Sequence, residues 1–181
     1  TKIFTEEYAK DNSGSKIKDP LTYLFQLTDE LNVTNSNPNL IAFFLKQQGM
    51  DLFNQPNVKG WDGGNSWLTS QIYLQRNNAS DLLCNGRNIS RKVFEKMPEE
   101  GEETEIKLEK INVKIAFDKN GTNKKIIAEL SNRLLFKVDE TMQKDMENVL
   151  KYDFDPKSEN ANYAVLRLFN YITKTPEYQL I

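Results

Sequence analysis

The sequence predicts a mainly α-helical protein, an irregular helical bundle with a small β-hairpin or strand excursion around residues 106–117. Three observations carry that reading. Apolar residues recur at three and four positions through most of the chain. Capping residues stand where those stripes begin. Only from Ile111 to Phe117 does the period change to two, with Ile111, Val113, Ile115 and Phe117 alternating against Asn112, Lys114 and Ala116.

The first helix starts at Asp19-Pro20, a capping carboxylate followed by a proline at the first helical position. Pro20, Leu24, Leu27 and Leu31 then form one stripe. A second helix starts at Asn37-Pro38, carries Ile41, Phe44 and Leu45, and stops at Gly49, where a left-handed residue is expected. Thr69 caps a third, with Ile72, Ala79, Leu82 and Leu83 on one side and Asn85-Gly86 at its end. Residues 90–97 read as another helical turn or two. The run from Glu99 to Glu105 is acidic, holds no apolar residue and reads as a mobile surface insertion. The period-two stretch follows as a strand, its partner expected at Ile106–Leu108, and Asn120-Gly121 marks a turn. Helix then returns in three stripes. These are Ile127, Leu130 and Leu134; Met142, Met146, Val149 and Leu150 after a cap at Asp139; and Ala161, Val165, Leu168, Phe169 and Ile172. The organisation is therefore a helical part over 1–98, an acidic insertion with short strands over 99–121, and C-terminal helices over 122–181, expected to form one compact unit.

Composition bounds the chemistry. The chain has 181 residues, 38% hydrophobic and 28% charged, which suits a folded domain and not a disordered one. Its longest apolar run, Leu40–Leu45, is too short to span a bilayer. A net charge of −2, with Lys and Arg spread along the chain, argues against nucleic acid as a partner. There is no histidine and one cysteine, Cys84. No Ser-His-Asp or Cys-His device can be built from this chain alone, nor a His-based or thiolate-cluster metal site. No metal and no cofactor are expected, and Cys84, beside Leu82 and Leu83, reads as a buried thiol. Whether an enzyme site exists at all is left open.

One segment reads as a built loop, 49–68. Three of the eight glycines and both tryptophans fall within 60–67. Gly60, Gly63 and Gly64 permit a backbone path that other residues would resist, and Pro56 stiffens its approach. One reading is structural, with Trp61 and Trp67 pinning the loop to the helical core and each indole N–H meeting a carbonyl. The other is a ligand platform, in which tryptophan faces stack on sugar rings and Lys59, Asp62 and Asn65 supply polar contacts. The two can coexist.

The same loop carries a resemblance. The stretch Gly49 to Ala79 is similar to the signature of the bacterial family of unknown function DUF1800, whose members carry a phrase like Gly-Gln-x-Leu-Phe-x-Pro-Pro-Asn-Val-Lys-Gly-Trp-Pro-Gly-Gly-x-x-Trp-Ile. Gly49, Leu52, Phe53, Pro56, Asn57, Val58, Lys59, Gly60, Trp61, Gly63, Gly64 and Trp67 fall in register, and Arg76 matches an arginine of the helix that follows. Upstream, Lys18-Asp19-Pro20 resembles the family's Lys-Ser-Pro phrase; downstream, Thr175-Pro176-Glu177-Tyr178-Gln179 resembles its closing Ser-Pro-Glu-Phe-Gln. Departures are Met50 for glutamine, Gln55 for the first proline and Asp62 for the later proline. The resemblance implies the C-terminal portion of a larger, helical, exported protein of the periplasm or outer cell envelope, packing on its own N-terminal portion. A start at Thr1 without an initiator Met or signal-peptide pattern fits that expectation. The loop's own residues Lys59, Trp61, Asp62, Asn65 and Trp67, with Arg76 of the helix that follows, are the candidate binding residues, for that N-terminal portion, another envelope protein or a glycan; the resemblance carries over no role for Asp62. A scaffold or binding role is expected first. The alternatives are one wall of a polysaccharide or sulfate-ester hydrolase site at the junction, and carbohydrate binding through the tryptophans.

Overall fold

The computed structural model describes residues 14–33, 38–89, 108–151 and 154–181. Residues 90–97 and the acidic run 99–105 lie outside them, as does Asn37 of the second helix start. The chain is mainly helical. Six α-helices are described: α1 (Pro20–Glu30), α2 (Pro38–Gln47), α3 (Ser70–Cys84), α4 (Asn123–Leu134), α5 (Glu140–Val149) and α6 (Ala161–Thr173).

Their starts follow from side chains that accept orphan amide protons. The Asp19 carboxylate accepts from Thr22 N at 2.9 Å, Thr69 Oγ1 from Ile72 N at 3.3 Å, and Asp139 from Met142 N at 2.7 Å. The end of α2 is a Schellman turn. Gly49 takes φ +81°, its N–H donates to Lys46 O at 3.0 Å, and Met50 N–H reaches back to Leu45 O at 2.9 Å.

All the predicted stripes face inward. Leu24, Leu27 and Leu31 of the first, Ile127, Leu130 and Leu134 of the fourth, and Val165, Leu168, Phe169 and Ile172 of the last are buried in one hydrophobic cluster. Helix α6 is its axis, packing on α3, α4 and α5, while α2 lies against both α1 and α3.

The strand expected over Ile111–Phe117 is not confirmed. The described pairing is antiparallel and three residues long, β1 (Arg87–Ile89) with β2 (Leu108–Lys110), and it stops before the period-two stretch begins. Residues 111–117 do bury alternate side chains, with Ile115 inside and Asn112, Lys114 and Ala116 outside. Their backbone, however, is bonded to other kinds of partner. Ile111 N donates to Gly86 O at 2.7 Å, Lys114 N to Leu31 O at the end of α1 at 2.9 Å, and Ile115 N to the side chain of Asn162 at 3.3 Å. Period two reports which face is buried; it does not report whether a ladder partner exists.

The two ends of the described chain meet. Ile17 bridges Leu180, with Lys16 N donating to Ile181 O at 3.1 Å, Ile181 N to Lys16 O at 2.8 Å and Lys18 N to Gln179 O at 2.8 Å.

Candidate functional site

The loop between α2 and α3 is held by its own turns. Asn54 N donates to Asp51 O, Lys59 N to Asn57 Oδ1 at 2.8 Å and Gly60 N to Asn57 O at 3.0 Å. The chain then passes through three glycines with positive φ: Gly60 (+89°), Gly63 (+73°) and Gly64 (+54°). Gly63 has ψ −165°, a region open in practice to glycine alone, and it launches a 3₁₀ turn over Gly64–Leu68. Ser66 closes that turn, its Oγ donating to Gly63 O at 2.6 Å.

This path sorts the candidate residues. Trp67 goes into the hydrophobic core, and Trp61 lies half-buried against it. Pro56, Lys59, Asp62 and Asn65 face water. One expectation needs correcting: neither indole N–H has a hydrogen-bond partner among the described residues, so apolar packing holds the loop down, not indole–carbonyl bonds. Sequence reasoning also missed the loop's most conspicuous side chains. Phe53 keeps 93% of its surface in solvent and Val58 all of it. Their positions within the matched phrase were the available signal.

Arg76 is somewhere else. It lies on α3, wholly buried, in a polar node that gathers the two ends of the described chain. Its Nη2 donates to Lys18 O at 2.7 Å and its Nη1 to Gln179 Oε1 at 3.1 Å, while Tyr23 OH donates to Arg76 O at 3.0 Å. Lys18, equally buried, donates from Nζ to Tyr178 O at 2.5 Å. The cations sit on aromatic faces: Lys18 Nζ is 3.9 Å from the Tyr178 ring centroid, Arg76 Cζ 4.9 Å from that of Tyr23, and the two tyrosines meet edge to face at 5.7 Å. Gln179 completes the node by donating Nε2 to Thr173 O at 2.9 Å.

No carboxylate forms an ion pair with Lys18 or Arg76 among the described residues. Burial, with Arg76 alongside, pushes the Lys18 ammonium down to about 8, and burial pulls Arg76 down to about 10. The same burial raises the Tyr23 and Tyr178 hydroxyls well above their ordinary range.

Beside the node runs a polar seam between α3 and α6. Ser80 Oγ lies 2.6 Å from Thr173 Oγ1 and donates to Asn170 Oδ1 at 2.7 Å; Asp81 accepts from Lys174 Nζ at 2.6 Å. Cys84 is buried here, and burial raises its thiol to about 12, so it is no nucleophile at neutral pH. Among the described residues no three carboxylates or thiols cluster closely enough to hold a metal ion, and no helix is long and apolar enough to cross a membrane.

Loop and node thus divide the work. The node ties α3 to Lys18 and to Tyr178-Gln179, and the loop presents Phe53, Val58, Lys59, Trp61 and Asp62 at the surface. A family model described as a protein of unknown function, DUF1800, matches residues 1–180. No curated protein and no solved structure matches the chain.

Proposed function

The chain belongs to the DUF1800 family, and we propose that it serves as a non-catalytic scaffold and binding region, its Gly–Trp loop packing on the preceding portion of a longer exported envelope protein. The observation that carries this reading is the pair Phe53 and Val58, fully in solvent on a loop whose backbone is fixed by turns and three left-handed glycines. Exposed apolar side chains on a mobile tail would mean little. On a loop held in one shape they present a ready-made contact, because the ordering entropy has already been lost before a partner arrives. Covering such side chains is worth about 1.5–3 kcal/mol each. Export and envelope location are supported by the resemblance of the Gly49–Ala79 phrase.

Cysteine labelling tests it. Val58→Cys introduces one accessible thiol, since Cys84 is buried with its thiol raised. A maleimide should modify it rapidly in residues 1–181 alone and at least tenfold more slowly in the full-length protein. Equal rates in the two would overturn the reading.

A further inference from the structure

A second surface, remote in sequence from the loop, has the form of a peptide groove. A cleft of about 940 Å³ opens between residues 112–119 and the start of α6. Three lysines line it, Lys114, Lys119 and Lys157, against one acid, Glu159. None of the three lysines is ion-paired among the described residues. Along its floor runs the period-two segment that lacks a strand partner.

One side chain stands in for that partner. The Asn162 amide accepts from Ile115 N at 3.3 Å and donates to Val113 O at 3.4 Å, the two bonds a single residue of a parallel neighbouring strand would make through its own C=O and N–H. Both are long and therefore weak. Val113 N–H, Ile115 C=O and Phe117 N–H have no partner among the described residues. The edge is thus half-satisfied, held open by one displaceable amide, and walled by unpaired positive charge.

We propose that this cleft binds an extended acidic peptide segment of a partner protein, which adds its backbone along Val113–Phe117 in place of the Asn162 amide while its carboxylates meet Lys114, Lys119 and Lys157. Backbone addition supplies the affinity and the lysines select for acidic residues. This surface is independent of the Gly–Trp loop.

Fluorescence anisotropy with a labelled, blocked Glu-Val-Glu-Val-Glu-Val peptide at low salt is the test. Saturable binding is expected. Lys114→Glu combined with Lys157→Glu should weaken it at least tenfold while leaving the melting temperature unchanged, because both side chains are exposed. Two further peptides, N-methylated on one or the other alternate set of amides, separate backbone pairing from simple charge attraction. One of them should bind at least tenfold more weakly than the parent. The proposal is overturned by absence of saturation, by indifference to charge reversal, by equal binding of both methylated peptides, or by tighter binding of a single-stranded oligonucleotide of the same charge.

Discussion

The Gly–Trp loop and the node around Arg76 both carry residues of the matched phrases, yet they treat charge in opposite ways. In the loop Lys59 and Asp62 stay in water, where an ionic group costs nothing to keep. Within two turns of helix, Arg76 is stripped of water, and Lys18 is brought to it from 58 positions away. Burying an ion costs several kcal/mol unless every polar atom around it is answered. The node answers most of them with carbonyls, an amide and two aromatic faces instead of carboxylates, and leaves Arg76 Nε and the Tyr178 hydroxyl without a hydrogen-bond partner among the described residues. Such a site tolerates one geometry, which suits a clasp. The loop has its strain in the backbone and holds Phe53, Val58, Lys59 and Asp62 in water, which suits a contact surface.

The hardest way to break the contrast is to remove the guanidinium. Arg76→Ala leaves Lys18 O and Gln179 Oε1 without donors in a buried space and should cost about 3–5 kcal/mol in urea unfolding. Asp62→Ala in the loop should stay within about 0.5 kcal/mol. Were the two costs alike, the division between clasp and surface would not stand.

That division was only partly legible in the sequence. Helices show in periodicity because the same apolar stripe that marks them also buries them, as Leu24, Leu27 and Leu31 do. The caps at Asp19, Thr69 and Asp139 are equally local, each acting three residues away. The loop was legible as unusual because glycine and tryptophan are informative wherever they crowd together. Nothing local distinguishes Lys18 or Gln179 from an ordinary surface residue, because their partners lie up to 160 positions off. Only the phrases around them hinted at a role, and for Arg76 they suggested binding where the structure shows a buried tie. Residues 111–117 misled for the converse reason: their burial alternates as a strand's does, but Asn162 and Leu31 receive the bonds.

A middle-sized effect sharpens what the loop glycines do. A Cβ on Gly63 would meet Trp67 Nε1 at 3.6 Å, an ordinary contact, so Gly63→Ala carries no clash. Its cost should come from φ +73° with ψ −165° alone, about 1–3 kcal/mol. If the turn is a fixed platform, Trp67 emission should shift as the loop shifts, and the melting temperature should fall. Unchanged stability would mean that the turn is not held in this conformation.

The smallest effect probes the node through pH, and its direction is unusual. Lys18 binds its proton less tightly folded, near 8, than a free lysine near 10.5. Below pH 8 the folded protein carries the buried charge and bears its cost. Between pH 8 and 10.5 the folded state releases the proton while the unfolded chain keeps it, so this residue makes stability rise with pH. Other groups oppose it: Cys84 above pH 9, and Tyr23 and Tyr178 above 10, hold protons in the fold that the unfolded chain loses. Comparing the chain with Lys18→Met cancels those terms. The melting temperature of the chain minus that of the variant should climb between pH 7.5 and 10, by roughly 2–4 °C for every 1 kcal/mol that release of the buried proton returns in a protein of this size. A flat difference would mean that Lys18 is hydrated, and that the node, like the loop, keeps its charge in water.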